Sequence, residues 1–125
     1  MVTMLPMSNA VTKTRITPAD RRLYRLMAQV LGAAGHEVRL AILDYLRDGE
    51  QCVCDIAAHV GAGRPNVSRH LAVLRGAGLV EQRKDGLRMM YSLRCPCILN
   101  ITTCVTGVLR ERARQTRKLL GSVGL

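Results

Sequence analysis

A chain of 125 residues with 19 Lys and Arg against 9 Asp and Glu carries a formal charge of +10 and fits one domain with a small core. It holds no Trp, no Phe and only three Tyr, so the core must come from Leu, Val, Ile, Ala and Met. The basic field suits a polyanion, and no apolar run reaches the roughly 20 residues of a membrane span, so a cytoplasmic protein without membrane contact is expected. Five cysteines in such a chain point to metal or redox chemistry rather than a disulfide framework.

Residues 1–17 show no sustained period and read as a flexible arm; residues 18–121 read as one domain. Thr17-Pro18 predicts a helix start, with Thr17 as the cap and Pro18 in the first helical position. Leu23, Leu26, Met27, Val30 and Leu31 follow at helical spacing until Gly32 and Gly35 break the run. A second helix over about 36–47 turns Val38, Leu40, Ala41, Leu43 and Leu46 to a core, and Asp48-Gly49 ends it. A short third helix holds Ile56, Ala57 and Val60 and stops at Gly61-Ala62-Gly63. Pro65 starts a fourth, with Val67, Leu71 and Leu74 on one face.

The period then changes. Residues 79–83, a turn at Asp85-Gly86 and residues 87–93 read as a β-hairpin, and after Pro96 a last helix runs to about Leu120. Ile98, Ile101, Val105, Val108 and Leu109 are its apolar residues. The expected class is mainly α with a β-hairpin wing (α+β), a winged helix-turn-helix that forms a homodimer through its N- and C-terminal helices.

In helix-turn-helix logic the second helix enters the major groove. Its exposed face here is Arg64, Asn66, Ser68, Arg69 and His70, with His70 either facing DNA or packing on a neighbouring helix. Arg suits guanine, Asn suits adenine, and Ser suits phosphate or either base. The basic hairpin tip, Arg83, Lys84 and Arg88, would lie along the backbone or minor groove. No nucleophile–base pair, phosphate loop or carboxylate pair stands out, so an enzyme is not expected.

The run "CVCDIAAHVGAGRPNVSRHLAVLRGAGLVEQRKDGLRMMYSL" (52–93), with "GHEVRLAILDYL" (35–46) before it, resembles the ArsR/SmtB family of metal- and metalloid-responsive repressors. The resemblance implies a homodimer that sits on double-stranded operator DNA and leaves when an inducer binds. The family usually has Gln before the recognition-helix Pro; this chain has Arg64. In the family's arsenite and cadmium/lead branches a Cys-Val-Cys-Asp motif supplies ligands, and Cys52 to Asp55 match it. The third thiol of the arsenite type falls here at Ala57, and residues 1–51 contain no cysteine for the cadmium/lead type.

Cys95, Cys97 and Cys104 are therefore the first-choice ligands and Cys52 and Cys54 the second choice. Cys97 and Cys104 share a helix face but lie about 10 Å apart along its axis. Sulfurs on one ion must come within about 4 Å of one another. An antiparallel crossing near residues 100–101 in a two-fold dimer would bring Cys97 of one chain to Cys104 of the other. Three sulfurs without imidazole suit arsenite or antimonite. The residues leave open a cadmium, lead or copper(I) sensor, a disulfide-forming redox sensor, and a non-switching DNA-binding protein whose cysteines merely pack.

Overall fold

The computed structural model describes residues 15–123, so the arm expected over 1–17 lies, up to residue 14, outside the described residues. Helix α1 (Pro18–Ala34) opens on a reciprocal cap. The Asp20 amide donates to Thr17 Oγ1 at 3.1 Å, and the Thr17 amide donates to Asp20 Oδ2 at 2.9 Å. Gly32 is carried inside the helix rather than breaking it, and the chain leaves at Gly35, whose amide donates to the Gly32 carbonyl. Of α1, only Ala33 and Ala34 are buried; Leu23, Leu26, Met27 and Leu31 stay about half exposed.

Helix α2 (Glu37–Tyr45) is capped by a histidine: His36 Nδ1 accepts from the Val38 amide at 3.1 Å. It tightens into a 3-10 turn (Leu46–Asp48) and ends at Gly49, whose φ of 137° suits a residue without Cβ. Ile42, Leu43 and Leu46 are its buried residues. Of the core-facing set expected for this helix, Leu43 and Leu46 are buried and Val38 packs against the core, but Leu40 is at the surface and Ile42, not expected, is buried. The inward stripe is Ile42, Leu43 and Leu46, spaced by one and three residues. Leu40, Ala41 and Asp44 instead line a groove beside the last helix.

Strand β1 (Gln51–Cys52) leads into α3 (Val53–Val60), which stops at Gly61 in the left-handed conformation (φ 69°, ψ 34°). Gly61 and Ala62 amides both donate to the Ala57 carbonyl, which makes the turn tight. Helix α4 (Arg64–Gly76) follows from Gly63, with Pro65 in its first turn where no amide donor is needed. Its inward face is the expected Val67, Leu71 and Leu74, each at 0% exposure. With Ile42, Leu43, Leu46, Ile56 and Val80 these side chains make the centre of the core.

Strands β2 (Val80–Asp85) and β3 (Arg88–Leu93) form the antiparallel wing, with Asp85 opposite Arg88 across a two-residue turn at Gly86-Leu87. The sheet order is β1-β3-β2, with Gln51 opposite Tyr91 and Cys52 opposite Met90. That third strand was not anticipated: two residues carry no period. Helix α5 (Ile98–Ser122) starts after Cys97 and buries only Ile98. Ile101, Val105, Val108 and Leu109 are 43–57% exposed on a rod about 37 Å long.

Candidate DNA-reading face and thiol sites

Helix α4 presents Asn66, Ser68 and Arg69 to solvent on the side away from Val67, Leu71 and Leu74, while Arg64, on the side of Leu71, is exposed as the first residue of the helix. His70 behaves differently. It is half-buried, its ring lies 4.5 Å from the His36 ring, and its Nδ1 accepts from Arg39 Nε at 3.1 Å. Of the two roles open to His70, the structure places it in helix packing. Burial, with the nearby His36, Arg39 and Arg69, pushes its pKa down.

Two of the three wing cations are engaged within the chain. Arg83 makes a bidentate pair with Glu50, Nε to Oε2 and Nη2 to Oε1, both 2.7 Å. Arg88 Nη2 donates to Cys52 Sγ at 3.6 Å. Lys84 is exposed near the tip. Glu50 and Arg39 were not singled out in the sequence. A lone Glu in a loop and an Arg in an amphipathic helix read as solvated charges until folding brings their partners from 33 and 31 residues away.

The cysteines part into three environments. Cys52 caps the start of α3 and is 2% exposed, whereas Cys54, one residue into the helix, is exposed, so the Cys-Val-Cys pair diverges. The switch from strand to helix has this effect: residues two apart would share a face in a strand, but the helical turn of about 100° per residue that begins at Val53 carries Cys54 away from the core. Cys95 and Cys97 instead converge, with their sulfurs brought together and Cα atoms 5.4 Å apart. Cys104 is exposed along α5. Among the described residues no group of three or more His, Cys, Asp and Glu is placed to hold a metal within one chain.

The profile of the bacterial regulatory protein arsR family matches residues 36–82, which span α2, the helix-turn-helix and the start of the wing. The HTH-type transcriptional regulator Rv0081 of Mycobacterium tuberculosis, itself uncharacterised, is 35% identical over 88 residues, covering 70% of this chain and 77% of the relative. This chain belongs to the ArsR/SmtB family. As an ArsR-family chain it has the fold of a DNA-binding transcriptional regulator, not of an enzyme. The arsenical resistance operon repressor of Escherichia coli is 39% identical over 71 residues, covering 56% of this chain and 61% of the relative. In three dimensions the ArsR chain is similar to a homodimeric winged helix-turn-helix domain from Mycobacterium bovis. The TM-score is 0.69 at 29% identity, covering 82% of this chain and 95% of that one. No single helix among the described residues is long and apolar enough to cross a membrane.

Proposed function

We propose that this ArsR-family chain is a cytoplasmic repressor that binds operator DNA as a homodimer and is released when trivalent arsenic, or antimonite, is captured by thiolates. Residues 18–121 would be the DNA-binding and dimerisation domain. Arg64, Asn66, Ser68 and Arg69 would read the major groove while Lys84, Arg83 and Arg88 follow the backbone.

Dimerisation is supported by apolar side chains left half exposed on both α1 and α5. They border a groove of about 570 Å³ whose lining includes Leu31, Leu40, Ile98, Ile101, Val105 and Leu109. A second α5 laid into that groove would bury what one chain cannot.

The observation that carries the inducer reading is the meeting of Cys95 and Cys97 at the start of α5, Cα to Cα 5.4 Å. Two thiolates are thereby pre-gathered on the helix that carries the unburied stripe. Cys104, exposed farther along the same helix, supplies the third sulfur from the partner chain. Tying α5 helices across the dimer axis would change the spacing of the two α4 helices, and half-sites one DNA turn apart tolerate little change.

The test is release from a duplex that the reduced wild-type protein selects from a random pool, titrated with arsenite, antimonite, cadmium, lead and zinc. Arsenite or antimonite should release the wild type. The triple Cys95→Ser, Cys97→Ser, Cys104→Ser variant should stay bound, and its normal release would overturn the site.

One alternative has an observation of its own. The convergence of Cys95 and Cys97 also suits a redox sensor, in which a peroxide takes two electrons from the dithiol. Release by peroxide without arsenite, and none by arsenite, would select it.

A further inference from the structure

Arg39 ties three helices together at one point. Its Nη1 donates to the Ala33 carbonyl at the end of α1 at 3.1 Å, while its Nε donates to His70 Nδ1 on α4 at 3.1 Å. Arg39 itself sits on α2, and His36, the cap of that helix, lies with its ring 4.5 Å from the His70 ring. Neutral imidazole has one donor and one acceptor nitrogen. An Nδ1 that accepts from a guanidinium must be the acceptor, which leaves the proton on Nε2. A protonated His70 has no acceptor to offer and would face the fixed charge of Arg39.

From this geometry we propose that Arg39 is a positioning residue for the DNA reader: it fixes His70 as the neutral Nε2–H tautomer and thereby holds the recognition helix against the α1–α2 junction. The brace links a helix of the unburied apolar face to the helix that carries Arg64, Asn66, Ser68 and Arg69, and it rests on the DNA-binding reading of that face. The groups facing His70 are His36 and Arg39 from the α2 end and Arg69 from its own helix, while the Ala33 carbonyl of α1 holds the far side of the Arg39 guanidinium. All the charged ones are basic. Each opposes protonation of His70, as its burial does. The brace is therefore intact above the ordinary imidazole pKa of about 6.5 and fails only as the pH drops below it.

The decisive measurement is the tautomer of His70, read by nitrogen-15 NMR of its ring on the full chain near pH 7, alongside affinity for the duplex selected by the wild-type protein. Wild type should show an unprotonated Nδ1 and a protonated Nε2. Arg39→Met, which removes both donors, should leave His70 in mixed tautomers, raise its titration midpoint and weaken duplex binding by about tenfold. Arg39→Lys, which keeps one donor, should recover part of the loss. His70→Asn sets an amide oxygen close to the Nδ1 position without a titrating group. It should bind like wild type near pH 8 and lose less affinity than wild type on acidification to about pH 5.

A wild-type His70 protonated on Nδ1 would overturn the brace, as would Arg39→Met with unchanged tautomer and affinity. If Arg39→Met does not fold, the tautomer in wild type and the acid profile of His70→Asn still decide. Failure of the wild type to select any duplex would instead sink the DNA-binding reading, and the ring tautomer would judge the brace by itself.

Discussion

Arg83 and Glu50 are joined by two parallel hydrogen bonds of 2.7 Å each, fastening the wing to the loop before β1. The bond from Arg83 holds the Glu50 carboxyl below its ordinary range, against a smaller upward push from burial. A carboxylate depressed in this way stabilises the fold above its unfolded pKa and loses that contribution only as the pH falls through the folded value. Across neutral pH the pair is intact and competes with phosphate for Arg83. Glu50→Gln should therefore tighten binding to duplex DNA at low salt. It should also steepen the fall of log affinity with log salt by about one unit, the signature of one more phosphate contact. Fluorescence anisotropy over a salt series measures both. Weaker binding by the variant would mean that Glu50 aims the wing and does not sequester it.

Leu71 lies at 0% exposure between Val67 and Leu74 on the inward face of α4. Truncation there removes transferred apolar surface and leaves a cavity in the centre of the core. Leu71→Ala should cost about 2–5 kcal/mol in urea denaturation. Ser68→Ala, on the exposed face of the same helix, should change stability by no more than about 0.5 kcal/mol. A comparable loss for both would mean that α4 is not oriented as described.

These two positions also show what a sequence can disclose. Val67, Leu71 and Leu74 announce their face because helical periodicity is local, and Thr17-Pro18 and Gly61 announce a start and a stop because caps are chosen by backbone chemistry. The wing is legible for the same reason, through Asp85-Gly86, although Asp85 still pairs in β2 and the turn falls one residue later, at Gly86-Leu87. What escaped is set by tertiary partners. His70, three residues after Val67 and four before Leu74, flanks the apolar face of α4, so a helical projection leaves its role open and only its packing on His36 and Arg39 decides it. Cys52 and Cys54 look equivalent in the chain, yet the junction of β1 and α3 buries one and exposes the other. The apolar stripe of α5 reads as core-facing in the sequence, yet Ile101, Val105, Val108 and Leu109 are half exposed within the chain.

Val105 is 49% exposed and lines the groove shared by α1, α2 and α5. A charge placed there costs little in a lone chain and much in a closed interface, and Arg47, which lines the same groove, is already paired with Asp44. Val105→Glu should keep its helical circular dichroism but sediment as a monomer at concentrations where the wild type is a dimer. Its affinity for the selected duplex should fall with the loss of the second half-site. A dimeric Val105→Glu that binds DNA normally would move the interface off α5.

Cys52 and Cys54 offer a test of whether the family motif and the proposed sensing site are different pairs. Cys52 is 2% exposed and its sulfur accepts from Arg88 Nη2 at 3.6 Å, so Cys52→Ser disturbs both a buried contact and a wing cation. It should cost about 1–2 kcal/mol in chemical denaturation, from burying a hydroxyl where a thiol packed. Duplex affinity should fall modestly, but the fraction released by saturating arsenite should not change. Cys54→Ser alters an exposed side chain and should match the wild type in stability within about 0.5 kcal/mol. Its arsenite release should also match, because its sulfur diverges from that of Cys52 and has no second thiol to chelate with. Arsenite release lost in Cys54→Ser but retained in the Cys95, Cys97, Cys104 triple variant would return the sensing site to the head of α3.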